Sequence, residues 1–167
     1  MRLLCKPMVQ ETNAKAMIWI GATVAFALIA IWMVPAGRGA PAGSDQLEAP
    51  LRQLLTCELE NAFLSVRPKF SHERFLQFAR YELCEGQRGL ELAFPNAPWS
   101  ENYFPRVVTA ASTQGLIYDI EESEGDVARF VFVKFGDSAD SAAAFAKSIL
   151  VEMFDYAPDY KFRVRIN

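Results

Sequence analysis

The sequence predicts an α+β protein: a single amino-terminal transmembrane helix, then a small domain with a helical hairpin, an antiparallel β-meander, a further helix and a carboxy-terminal strand. Three patterns carry this expectation. An uncharged apolar run lies near the start, apolar residues recur at helical spacing over residues 45–85, and period-two alternation marks residues 105–135 and 160–166. With 51% apolar, 22% charged and 13% aromatic residues in 167, there is ample material for one packed core, which excludes a disordered or low-complexity chain.

Ala16 to Val34 is a run of 19 residues with nothing more polar than Thr23. As a helix it is roughly 28 Å long, close to the hydrocarbon thickness of a bilayer. Trp19 and Trp32 sit near its ends, where indole N–H groups reach the headgroup layer. Arg2, Lys6 and Lys15 precede the run, whereas Arg38 is the first basic residue after it, so residues 1–15 are expected in the cytoplasm. Residues 45–167 are then exported, periplasmic or extracellular, and the chain is single-pass in the inner (cell) membrane. Val34-Pro35-Ala36 also suits a signal peptidase, so secretion after cleavage near Ala36 stands as the alternative. Residues 35–44 contain no large apolar side chain and read as a linker.

Beyond the linker, Leu47, Leu51, Leu54, Leu55, Leu59, Ala62, Phe63 and Val66 recur as on one helix, capped by Ser44 or Asp45 and stopped at Arg67-Pro68. Ser71 is expected to cap a second helix, with Phe75, Leu76, Phe78, Ala79 and Leu83 as its stripe and Gly86 at its end. In an oxidising compartment Cys57 and Cys84 would pair across this hairpin. The bridge would close a loop of about 28 residues, worth roughly 3.5 kcal/mol on the chain-entropy account.

Strands are expected at Leu90–Phe94, Arg106–Ala110, Leu116–Glu121 and Val127–Phe135, with turns at 112–115 and 123–126. In the last of these, Val131, Val133 and Phe135 alternate with Ala128, Phe130 and Phe132, so both faces are apolar and a central, doubly covered strand is expected. Asp137 to Ser141 offers caps for a helix running to about Phe154, and Tyr160, Phe162, Val164 and Ile166 alternate with Lys161, Arg163 and Arg165 in a final strand.

Catalytic chemistry finds little support. His72 is the one histidine and reads as an exposed first-turn residue, and no nucleophile elbow, phosphate loop or dinucleotide fingerprint occurs. No catalytic residue, cofactor or metal ligand is therefore assigned. Glu58 or Glu60 with Glu82 or Glu85 is the one imaginable carboxylate pair, and Glu121, Glu122, Glu124 and Asp126 lack the spacing of a calcium loop. Residues 44–167 carry 13 basic and 19 acidic side chains, an unsuitable balance for nucleic acid.

Two features suit a protein partner in the envelope. Residues 94–105 place Phe94, Trp99, Tyr103 and Phe104 among three prolines, and aromatics on a stiff loop give contact area at low ordering cost. Lys161, Arg163 and Arg165 form a basic strand face fit for an acidic partner or anionic headgroups. The expected function is a membrane-anchored, non-enzymatic interaction or assembly module; an envelope hydrolase or small-ligand binder using carboxylates in a cleft is the alternative.

Overall fold

The computed structural model describes residues 40–71, 73–122 and 129–167. Residues 1–39, with the expected membrane segment 16–34, fall outside these, as do His72 and the 123–126 turn. Among the described residues no helix is long and apolar enough to cross a membrane.

The α+β class holds, with three α-helices and a seven-stranded antiparallel sheet among the described residues. The strands are β1 (Ala40–Ala42), β2 (Phe63–Arg67), β3 (Leu76–Glu82), β4 (Arg88–Asn96), β5 (Ile117–Glu122), β6 (Arg129–Lys134) and β7 (Phe162–Ile166), in the spatial order β1-β7-β2-β3-β4-β6-β5. The helices are α1 (Glu48–Thr56), α2 (Phe104–Thr113) and α3 (Ala139–Ser148), the last continuing as a π-helical turn over Ile149–Met153.

All three helices cover one face of the sheet. Alternation along the strands sends Leu64, Val66, Leu76, Phe78, Leu90, Leu92, Phe94, Val131, Val133, Phe162 and Val164 to that face, where they meet Leu51 and Leu54 of α1, Val107 and Ala111 of α2, and Ala142, Phe145 and Ala146 of α3. The small alanines of α3 let α1 approach closely. Ser138 caps α3, its hydroxyl accepting the Ser141 N–H at 3.2 Å, as the Asp137–Ser141 cluster leads one to expect.

Four expectations are corrected. There is no helical hairpin: α1 ends at Thr56, and the chain turns through Asn61, in the left-handed region at φ 55°, into strand β2. Ala62 and Val66, four apart, fit a helical period, but with the equally buried Leu64 between them they also fit a period of two, and Leu59, counted in the helical stripe, is 63% exposed. The second expected helix is strand β3; the Ser71 hydroxyl does accept the Glu73 N–H, but in a local turn. The expected strand Arg106–Ala110 is helix α2, where Pro105 fits the first turn and the Thr109 and Thr113 hydroxyls bond back to the carbonyls four residues earlier. The linker ends sooner than residue 44, because Ala40–Ala42 pair with Phe162–Val164 as β1.

The strands β4 to β7 lie close to their expected positions. β6 is second from the sheet edge, between β4 and β5, and is not central. Its Phe130 and Phe132 point to the face away from the helices.

Candidate functional site

The aromatic loop turns largely inward. Phe94 and Phe104 are buried in the core, so neither presents a ring to solvent. Trp99 and Tyr103 are half-buried and pack on it: the indole meets Phe94 at 5.8 Å and Phe154 at 6.2 Å, both edge-on, and Tyr103 meets Phe154 at 4.9 Å. The expected outward projection of Trp99 and Tyr103 is thus replaced by packing against Phe154, which the π-helical turn delivers. Ser100, buried and not foreseen, holds this loop by donating to the Pro95 carbonyl at 2.6 Å and accepting the Ala97 N–H at 2.8 Å.

The basic strand face is kept in part. Lys161 reaches Gln46 Oε1 at 3.4 Å, away from the other two. Arg163 and Arg165 project from β7 on the face opposite the helices, and the register adds a third guanidinium, Arg67 of β2, directly across from Arg163. Like charges so placed repel one another. Among the described residues none of the three is in an ion pair. Arg67 lies over the Phe75 ring at 5.1 Å, burial lowers its pKa from the ordinary arginine range, and among the described residues its buried Nε has no hydrogen-bond partner.

The same face can be followed strand by strand from the ladder. One row runs Arg165, Ser65, Gln77, Ala93, Phe132, Asp119; the next runs Phe63, Ala79, Glu91, Lys134, Ile117. Arg163 and Arg67 start a further row that ends with Pro95, Phe130 and Glu121. The face is therefore basic at β7 and β2, acidic at β5 and mixed over the middle, where Gln77, Glu91 and Lys134 lie among Ala79, Ala93, Pro95, Phe130 and Phe132. Ala93 and Phe132 are buried yet belong to no part of the helix-side core. Gln77 is 6% exposed, and among the described residues its Oε1 has no hydrogen-bond partner.

Toward the acidic end, Lys134 Nζ meets Asp119 Oδ2 at 2.5 Å and lies 5.7 Å from the Tyr81 ring. Hydrogen bonding to Asp119 raises the Lys134 pKa. Glu91, the cross-strand partner of Lys134, is pushed up to about 7, chiefly by burial, with Lys134 opposing and Glu121 and Asp119 adding to the rise. Gly89 makes room for Tyr81: a Cβ there would come within 2.5 Å of the ring.

The cysteines sit at one end of the sheet. Cys57 follows α1 and Cys84 lies in the turn between β3 and β4; both thiols are free, and with no second helix the expected helix-to-helix staple has nothing to join. Arg80 and Arg88, on the strands flanking that turn, both donate to the Cys57 carbonyl, Arg88 at 2.6 Å. Glu58, Glu60 and Glu82 are exposed, and among the described residues no cluster of His, Cys, Asp and Glu is arranged to hold a metal ion. A shallow groove of about 490 Å³ runs along α2 between Arg106, Thr109, Thr113 and Met153.

Comparison with family models, with curated proteins and with solved structures finds no match.

Proposed function

We propose that the chain is a membrane-anchored, non-enzymatic interaction module of the cell envelope, and that its contact surface is the face of the sheet opposite α1, α2 and α3. The observation that carries this reading is the group of guanidinium side chains Arg67, Arg163 and Arg165 on that face, none of them in an ion pair among the described residues. Like charges side by side repel one another, so a partner that brings carboxylates or other acceptors to that face relieves a repulsion the isolated domain carries. The uncharged run 16–34 and the basic residues before it support attachment to the membrane with the domain exported. In an oxidising compartment Cys57 and Cys84 are expected to form the bridge.

A labelling experiment tests the surface. Arginine-directed phenylglyoxal should modify Arg163 and Arg165 quickly in the purified chain and slowly in native membranes. Equal, fast labelling in both would remove the proposed contact.

The alternative, a hydrolase using carboxylates, has one observation in its favour: a Glu91 poised near neutrality beside Asp119 and Glu121. These groups lie on a sheet face and not in a cleft that excludes water, so the interaction reading is preferred.

A further inference from the structure

We propose that the partner on this face is an anionic lipid bilayer, met at the corner of the sheet formed by β7, β2 and the turn that follows β2, with the Phe70 ring entering the headgroup layer and Lys69, Arg163 and Arg165 against lipid phosphates. The inference deepens the reading of that face as a contact surface and rests on it. The corner is accessible: Phe70 is 88% exposed, Lys69 is exposed, and Arg163 and Arg165 are half-buried. Ser65, Gln77, Ala93 and Phe132, buried already in the middle of the face, take no part.

Charge in the sheet is sorted by strand. β1, β7 and β2 carry Arg67, Arg163 and Arg165 and no carboxylate, and the turn after β2 adds Lys69, whereas β5 at the opposite edge carries Asp119, Glu121 and Glu122. Among the described residues none of Lys69, Arg163 and Arg165 is in an ion pair. The carboxylate nearest along the turn is Glu73, three residues beyond Phe70. The turn is held so that its tip is presented. Pro68 is buried and the Lys69 N–H donates to the Tyr160 hydroxyl at 3.1 Å, while the Lys69 ammonium lies 5.2 Å from the Phe70 ring centroid. A cation beside an exposed ring suits the headgroup layer, because the apolar area enters it and the charge stays at phosphate depth.

The point at which the chain enters the domain favours a bilayer over a soluble acidic protein. Residues 35–39 are all that separates the uncharged run 16–34 from β1, so with that run in the membrane covalent geometry keeps Ala40 within about 20 Å of the bilayer. β1 lies directly beside β7, so the tether enters at the basic edge, whereas β5 is the far edge of the sheet, about 29 Å away at ordinary strand spacing. A tethered domain meets the bilayer at high effective concentration, and a few cations then suffice to hold the corner down, each worth about a fivefold preference for an anionic surface.

The test is the rate at which phenylglyoxal modifies Arg163 and Arg165 in the purified full chain, read by mass spectrometry after reconstitution into lipid nanodiscs. The discs are phosphatidylcholine alone, or phosphatidylcholine with about 40% phosphatidylglycerol to supply the anionic surface. Arg52 of α1, on the helix side of the sheet, is the internal reference. Anionic discs should slow Arg163 and Arg165 about tenfold relative to Arg52, and about 0.5 M salt should remove the difference. Phe70→Ser and Lys69→Glu should each restore most of the lost rate. Equal rates in the two kinds of disc overturn the proposal, as does a slowing that both variants leave intact. Near-UV circular dichroism checks each variant; should one fail to fold, the wild-type comparison between discs and its salt dependence decide. Equal rates in the discs with slow labelling in native membranes refute the lipid and leave the contact surface standing, with an acidic protein as its occupant. Fast labelling in discs and native membranes alike refutes both.

Discussion

Replacing Trp99 by alanine discriminates between an aromatic loop that packs and one that recognises. The indole lies against Phe75 at 5.3 Å, Phe94 at 5.8 Å and Phe154 at 6.2 Å, and is half-buried. A tryptophan buries on the order of 200 Å² when fully enclosed, so about 100 Å² is at stake here, worth roughly 2.5 kcal/mol. The two edge-on ring pairs add about 1 kcal/mol together. The expected loss is therefore about 3–4 kcal/mol, within the span seen when large buried aromatics are truncated. For a domain of this size that is a fall of about 10 °C in melting temperature. Thermal unfolding of the full chain in detergent, followed by near-UV circular dichroism, measures it, and Trp99→Phe should recover more than half. A fall of less than about 2 °C would show that the indole is not part of the packing, and an outward, partner-facing loop would then be the better description.

Three further perturbations follow from particular contacts. Glu91 binds its proton more tightly folded than unfolded, so its contribution to stability is complete below about pH 4.5 and is lost as pH rises through about 7, by up to roughly 3 kcal/mol. Glu91→Gln should thus gain on the wild type at about pH 8 and not at about pH 4, and identical differences at the two pH values in urea denaturation would contradict the burial argument. Ser138→Ala removes the hydroxyl that accepts from Ser141 N and should cost about 1 kcal/mol; an unchanged urea midpoint would mean that the cap adds nothing. Mass spectrometry of a non-reduced digest of chain prepared from an oxidising compartment should show Cys57 joined to Cys84, and two alkylatable thiols would exclude the bridge.

What the sequence made legible, and what it hid, divides along physical lines. β6 and β7 were readable because alternation persists over six and five residues between clear turn signals, and α3 because a capping serine precedes a helical stripe built on alanines. β2 and β3 were hidden because Ala62 and Val66, and Phe75, Phe78 and Ala79, fall at helical spacing while Leu64 and Val66, and Leu76 and Phe78, alternate as in a strand, and only the sheet they join selects one. The reverse happened in α2: Val107, Val108 and Thr109 favour a strand locally, yet Phe104, Val107 and Ala111 share a face that the core covers. The basic strand was visible in Arg163 and Arg165, but Arg67 was not, because its place beside them depends on a long-range register between β2 and β7. The same register places Gln77 two strands from Arg165, and no local pattern announces a polar atom buried without a partner.

The position of β7 governs when this protein can fold. Strand β7, Phe162–Ile166, lies between β1 and β2, joining segments roughly a hundred positions apart. Until residues 162–166 are in place, β2 has an open edge and β1 has no partner, so the sheet cannot close from its earlier strands alone. Contacts of such sequence separation also slow the search that precedes closure. A nascent chain stopped at Lys161 would hold nearly all the core-forming residues and still carry two unpaired strand edges, a species prone to aggregate and exposed to proteases. The five residues Phe162–Ile166 are thus the step on which the completion of the domain waits.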